Sequence, residues 1–211
     1  MTKQVEKQSA GFTLVEVVVV LAVVLLLSGI AVPLISSYVE DSRRGRAEAE
    51  VKMIAGALTN FYKDVGQFPS RDSSAKDYTL KAFFTGNAVP KTDPFVKTHS
   101  WSDWARNTST GDILDNHLLS NAPGAKTTAA YATTGDRRWR GPYLSSSAPV
   151  DPWSRPYVVN VISAYSTDAT NYKKLFVMSA GPNGVIDTNA NAASTDTLGG
   201  DDIGVIIQAR T

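Results

Sequence analysis

From Gly11 to Pro33 the chain reads GFTLVEVVVVLAVVLLLSGIAVP, an apolar run that holds a single carboxylate, Glu16. The apolar character continues to Ile35. Counted from Phe12 this makes 24 residues, about 36 Å of α-helix at 1.5 Å per residue, against about 30 Å of hydrocarbon in a bilayer. The run therefore predicts a membrane-spanning helix over residues 12–35. A carboxylate in hydrocarbon is costly, so Glu16 requires a partner. The polar leader MTKQVEKQSA sets Lys3 and Lys7 against Glu6, and a basic flank of this kind predicts a cytoplasmic N-terminus with the remainder on the far side. An ordinary secretory signal would close on a small-residue cleavage site followed by a mature domain. Here the run ends in Ser28-Gly29-Ile30-Ala31-Val32-Pro33 and passes into a charged helical pattern.

Pro33 lacks a backbone donor and clashes with the carbonyl of Gly29, which predicts a kink or local melting between the two. Beyond it, YVEDSRRGRAEAEVKMIAGALTNFYKDVGQFP continues the helix over residues 36–69. Val51, Ile54, Leu58, Phe61 and Val65 recur at three- and four-residue steps and form one apolar stripe for packing on a sheet. Glu48 and Lys52 are spaced to pair on the outer side. The mixed charges from Glu40 to Arg46 read as a solvated face, and Gly66 and Pro69 stop the helix.

With 211 residues, 43% of them hydrophobic and 19% charged, the chain suits one globular domain joined to this appended helix. Residues 70–140 are loop-rich, with short helices predicted over Tyr78–Thr85 and Ile113–Leu119 and with aromatics at Tyr78, Phe83, Phe84, Trp101 and Trp104. Residues 141–211 carry three β-branched or aromatic runs, predicting strands at Tyr157–Ala164, Leu175–Ser179 and Ile203–Gln208. The fold class is thus α+β, a long N-terminal helix packed on a small C-terminal antiparallel β-sheet.

Several chemistries are excluded. Zero cysteines remove disulfides, thiolate metal sites and cysteine nucleophiles. No G-x-S-x-G, H-E-x-x-H or phosphate loop occurs, and His99 and His117 stand in ordinary polar contexts, so no catalytic residue and no enzyme activity are expected. A net charge of +1 gives no footprint for nucleic acid, and Arg137-Arg138-Trp139-Arg140 is read as facing an acidic neighbour. The only stretch that suggests a metal is SAGPNGVIDTNANAASTDTLGGDDIG, whose Asn183, Asp187, Asn189, Asn191, Asp196, Asp201 and Asp202 are hard oxygen donors of the kind Ca²⁺ takes. Asp187-x-Asn189-x-Asn191 opens with EF-hand spacing, but Ala192 stands where that loop needs Gly and Leu198 where it needs Glu, so an EF-hand is rejected.

Gly11-Phe12-Thr13-Leu14-Val15-Glu16 resembles the processing site of type IV pilins and of the pseudopilins of type II secretion. The resemblance implies cleavage after Gly11, removal of the leader 1–11 and methylation of the new amine on Phe12. That amine, positive at neutral pH, is then the partner that Glu16 lacked. In these families the pairing runs between neighbouring subunits, where a buried polar group serves registry. Pro33 also falls where they commonly carry proline. Gly141-Pro142-Tyr143-Leu144 and Asp151-Pro152-Trp153-Ser154-Arg155-Pro156-Tyr157 resemble the GPYL and DPW-x-x-PY signatures of the major pseudopilin. They read physically as a turn-rich entry to the sheet. That subfamily holds Ca²⁺ in its last loop. The resemblance carries the ligand set onto the side chains of Asn183, Asp201 and Asp202 and the carbonyls of Ala180 and Ile203.

The function so implied is a pseudopilin subunit that polymerises into a periplasmic filament of a type II secretion system and drives protein export. Its expected place is the bacterial inner membrane, single-pass, with the head in the periplasm. The expected partners are further copies of itself, minor pseudopilins or pilins, the prepilin peptidase, the inner-membrane assembly platform and the membrane, with no nucleic acid. One alternative is a type IV pilin for adhesion, motility or DNA uptake, extracellular when built into a surface pilus. The absence of a C-terminal cysteine pair weighs against many of these. Another is a membrane-anchored binding or sensor protein that does not polymerise.

Overall fold

Helix α1 runs from Leu14 to Val65, 52 residues without a break in its α-helical backbone. The computed structural model describes residues 11–91, 95, 110–161, 164, 173–188 and 197–209. The chain divides into two compact units, Met1–Ser42 and Arg43–Thr211. In the first, α1 passes through Gly29 and Pro33 as continuous helix, so the melting expected there is not a property of the chain on its own. An 18-residue window of α1 has a mean hydropathy of 3.0 and none of it is buried. Length and composition thus suit it to cross a membrane.

In the second unit the expected stripe is the centre of the core. Val51, Ile54, Leu58 and Phe61 are buried, and Val65 packs against them. Glu48 and Lys52 form the outer pair at 3.7 Å. The helix stops as the sequence requires. Gly66 takes φ +82°, its N–H donates to the Tyr62 carbonyl at 2.8 Å, and a Cβ there would meet the Arg137 guanidinium at 2.4 Å.

Among the described residues five strands follow: β1 (Ala82–Phe84), β2 (Gly111–Ile113), β3 (Val158–Asn160), β4 (Lys173–Ser179) and β5 (Ile203–Ala209), with a short helix α2 at Asp115–Leu118. They form one sheet in the order β2-β1-β3-β4-β5. The three C-terminal strands make the expected antiparallel meander, with Ser179 opposite Ile203 and Val158 opposite Met178.

Three expectations are corrected. The sheet is mixed rather than antiparallel, because β1 and β2 pair in parallel, Ala82 with Gly111 and Phe84 with Ile113. The connection between them is long enough to return the chain to the same end. The helix expected over Tyr78–Thr85 is replaced by strand β1, and that expected over Ile113–Leu119 is divided between the end of β2 and α2.

The physical reason is two-sided burial. Phe83, Val159, Leu175 and Val177 join the core with α1. Ala82, Phe84, Val158, Phe176 and Met178 point the other way, into a second core closed by Phe95, Ala180 and Ile186. A short run buried on both faces reads the same in sequence whether it is strand or helix.

Candidate functional site

Gly11, Phe12 and Thr13 precede the helix in irregular backbone, and Phe12 is 85% exposed. The Gly11–Phe12 peptide bond thus lies in open chain. Glu16 has a partner of its own within this chain. Its Oε2 accepts from the Thr13 N–H at 3.0 Å and from the Thr13 hydroxyl at 2.9 Å, while the Glu16 N–H donates to Thr13 Oγ1 at 3.3 Å. This is a reciprocal capping box, with Thr13 at the N-cap and Glu16 three residues on, which satisfies donors that every helix start leaves orphaned. The spacing Thr13-x-x-Glu16 was there to be read. Pro33 lies within α1. From Phe12 to Ile35 every large apolar side chain described is exposed.

Both C-terminal signatures act as latches onto the helix. Tyr143 of GPYL donates its hydroxyl to Asp64 Oδ2 at 3.0 Å and accepts the Arg140 N–H at 2.9 Å. Gly141 is required beside it, because a Cβ would fall 2.5 Å from the Trp139 ring. Tyr157, fully buried, donates to Glu50 Oε2 at 2.6 Å. Asp151 holds its own turn, its Oδ1 accepting the N–H groups of Trp153 at 3.0 Å and Arg155 at 2.8 Å.

Pairing of Ser179 with Ile203 brings Ala180 and Asp202 to the mouth of the loop between β4 and β5. There the Asn183 N–H donates to Asp201 Oδ2 at 3.1 Å and its Nδ2 lies 3.4 Å from Asp187 Oδ2. Asn183 Oδ1 is taken by the Val185 N–H at 2.6 Å. Asp202 Oδ2 accepts from the N–H groups of Asp187 at 3.0 Å and Thr188 at 2.7 Å, and from the Thr188 hydroxyl at 2.6 Å. The remaining oxygens, Asp201 Oδ1 and Asp202 Oδ1, are buried and have no hydrogen-bond partner among the described residues. Burial pushes the Asp202 carboxyl up to about 6, opposed by its Thr188 hydrogen bonds and assisted by the Asp187 charge.

Buried carboxylate oxygens without a partner, here on two consecutive residues, are what a hard cation would relieve. Among the described residues no three His, Asp or Glu side chains stand together as metal ligands. A cation here therefore needs the amide and carbonyl oxygens that the expected set includes. Asp201, Asp202 and Asn183 are brought together, with Ala180 and Ile203 flanking them, whereas Asn189, Asn191 and Asp196 lie outside the described residues. Thr188, which grips Asp202 from the far side of the loop, carried no signal in the sequence.

A buried polar cluster was also missed. His117, with no exposure, accepts the Tyr131 hydroxyl proton at Nδ1 (2.8 Å) and donates from Nε2 to Asp112 Oδ2 at 2.9 Å. A carboxylate only accepts, which fixes this tautomer. Asp112 also receives the Gly124 N–H at 2.7 Å, the Ile113 N–H at 2.8 Å and Asn116 Nδ2 at 2.7 Å. Arg71 caps the Tyr131 ring at 4.6 Å and pairs with Asp77 at 2.8 Å. The cluster is a structural tie between residues 70–77 and 110–131. His99 lies outside the described residues.

Residues 7–32 match the prokaryotic N-terminal methylation motif, and residues 124–197 match the type II secretion system protein G family. The second match takes in both signatures and stops before Asp201. The type II secretion system core protein G of Pseudomonas aeruginosa is 30% identical over 101 residues, 46% of this chain and 70% of that protein. The fimbrial protein EcpC of Eikenella corrodens is 36% identical over 75 residues, 36% of this chain and 47% of that protein. No solved structure matches. With a prepilin-type N-terminus opening an apolar helix and the protein G signatures latched onto that helix, this chain belongs to the type II secretion system protein G family of pseudopilins.

Proposed function

We propose that the protein is a structural subunit that is cut after Gly11, methylated on Phe12 and polymerised through α1 into a filament of a type II secretion system. It is anchored in the inner membrane before assembly, with residues 43–211 in the periplasm. Export of folded substrates would follow from growth of that filament against the assembly platform. The observation that carries this reading is the helix itself. Its N-terminal half presents apolar side chains on every face, and its only carboxylate sits at the capped start. Such a surface needs either lipid or other helices around it. Minor pseudopilins, the prepilin peptidase and the inner-membrane platform are the partners this function requires.

Similarity to a fimbrial protein supports a second reading, a pilin-type fibre subunit serving adhesion, motility or DNA uptake. One experiment separates the readings. In a bacterium lacking its own protein G, expression of this chain should restore secretion and yield sheared filaments built from it. Filaments without secretion would favour the fimbrial reading. Absence of any filament, with the chain in the membrane, would leave a lone anchored protein instead.

The loop between β4 and β5 is further proposed to hold Ca²⁺ through Asp201, Asp202 and Asn183 and the carbonyls of Ala180 and Ile203. The two orphaned carboxylate oxygens support this. Bound there, the ion would supply charge compensation and tie the two ends of the loop together.

A further inference from the structure

Three residues outside the β4–β5 loop close a ring on its first turn. Asp151 Oδ2 accepts the Ser179 hydroxyl proton at 2.6 Å, and Ser179 Oγ accepts the Gly181 N–H at 3.1 Å. The Gly181 carbonyl accepts from Arg155 Nη2, which also reaches the Pro182 carbonyl at 3.3 Å. Arg155 Nε, which makes no hydrogen bond among the described residues, lies 3.9 Å from Asp151 Oδ2 as an ion pair. Asp151 and Ser179 are withdrawn from water, 2% and 0% exposed, and the Arg155 side chain is 15% exposed. A buried ion pair is weak evidence for stability but a strong geometric constraint.

The turn it grips is where the two arms of the loop touch. Gly181 takes φ +59°, and a Cβ there would lie 2.2 Å from the Asp201 carbonyl oxygen and 3.2 Å from its carboxyl carbon. Two residues further on, the Asn183 N–H meets Asp201 Oδ2 at 3.1 Å. Any drift of Gly181 therefore moves Ala180 and Asn183 relative to Asp201 and Asp202.

We propose that Asp151, Ser179 and Arg155 are positioning residues for the cation loop, locking Gly181 against Asp201 so that the donors on the two arms stand at binding distance. This rests on the calcium reading given above. The guanidinium suits the task because its Nη2 meets the loop carbonyls while its Nε faces Asp151, two partners on one planar group that a single lysine ammonium does not span.

The test is calcium titration of the full chain in detergent by calorimetry, together with its melting temperature in chelator. Arg155→Gln and Ser179→Ala should each raise the Kd for Ca²⁺ at least tenfold, although neither residue is a ligand. Tyr157→Phe loosens the same unit elsewhere, and should lower the melting temperature in chelator while leaving that Kd within threefold. Should Arg155→Gln fail to fold, Ser179→Ala, which removes one hydroxyl, decides the matter. The proposal is overturned if the folded variants bind within threefold of the unmutated chain, or if Tyr157→Phe weakens binding as much as they do. An unmutated chain that binds no calcium is a different failure, since it removes the calcium reading itself and this proposal with it.

Discussion

The hydroxyl of Tyr157 donates to Glu50 Oε2 at 2.6 Å, while Arg46 Nε donates to the other oxygen of the same carboxylate at 2.8 Å. One bond thus fastens the DPW-x-x-PY turn to the charged side of α1, across 107 residues of sequence. Burial, together with the Glu50 carboxylate accepting the proton, pushes the Tyr157 phenol well above its ordinary range, so it stays a donor at any pH the protein meets. Tyr157→Phe keeps the ring and removes only this bond. A hydrogen bond to a charged group contributes about 1.5–3 kcal/mol, and a loss of that size should lower the melting temperature by about 3–12 °C in a unit of this length. Glu50→Gln, which keeps an acceptor, should cost less. An unchanged melting temperature in Tyr157→Phe would show that the latch contributes nothing.

Acid should weaken the unit through His117. Burial lowers its pKa below the ordinary value despite the Asp112 carboxylate beside it, and the Arg71 charge lowers it further. As pH drops through about 6.5 the unfolded chain takes up a proton at this histidine that the folded chain refuses, so stability falls from there downward. Asp112, held below the usual carboxylate range by His117 and by backbone N–H groups against the cost of burial, adds its loss only below about pH 4. Between about pH 7.5 and 5.5 the Asp202 carboxyl, raised to about 6, takes up a proton in the folded chain and works the other way. His117 is therefore read as a difference: on acidification the unmutated chain should lose more melting temperature than His117→Gln. Equal slopes in the two proteins would contradict the assignment of a neutral buried imidazole.

What could be read from sequence was whatever repeats locally. Val51, Ile54, Leu58 and Phe61 keep a helical period against one partner, and the runs around Val158, Val177 and Val205 are β-branched enough to declare strands. Ala82-Phe83-Phe84 failed because burial on both faces erases the alternation that marks a strand, and parallel pairing with β2 depends on residues that no local signal links to it. Of the candidate loop, Asp201 and Asp202 were visible as adjacent acids. Thr188, on the far side of the same loop, and Arg155, which grips it from outside, were not. Tyr131, His117, Asp112 and Arg71 span 60 residues and share no motif, so their cluster exists only once the chain has folded. Thr13-x-x-Glu16 is the opposite case, a local signature eclipsed by the question of what neutralises Glu16.

That capping box separates two roles for Glu16. Glutamine serves the box as well as glutamate does, but it carries no charge to meet the amine that processing would create on Phe12. Intact-mass analysis of membrane protein should find the chain starting at Phe12, with or without one added methyl group. A chain found only with Met1, in cells that hold the peptidase, would refute processing. Glu16→Ala should insert normally yet give few sheared filaments and speed amide exchange at Leu14–Glu16. Glu16→Gln should keep slow exchange there and still give few filaments. Normal filaments from Glu16→Gln would mean that the cap, and not the charge, is what assembly needs.

The last prediction concerns Asp201 and Asp202. Adjacent carboxylates repel one another, and each has one oxygen buried without a hydrogen-bond partner among the described residues. That arrangement is costly unless a cation is near. An ion that binds the folded chain and not the unfolded one stabilises it by about 2.7 kcal/mol at a hundredfold excess over its Kd. The full chain in detergent should therefore melt higher in millimolar Ca²⁺ than in chelator. Mg²⁺ should substitute poorly, because it demands a tighter octahedron and gives up its water reluctantly. Asp201→Ala with Asp202→Ala should abolish the difference, and in chelator should itself lower the melting temperature, because the N–H groups of Asn183, Asp187 and Thr188 lose their acceptors. Asn183→Asp adds a charge next to Asp201 and Asp187, and should lower the melting temperature in chelator while enlarging the gain on adding Ca²⁺. If the unmutated chain melts at the same temperature with and without Ca²⁺, the loop is a solvated Asp-rich turn, and its two orphaned oxygens find their partner in water.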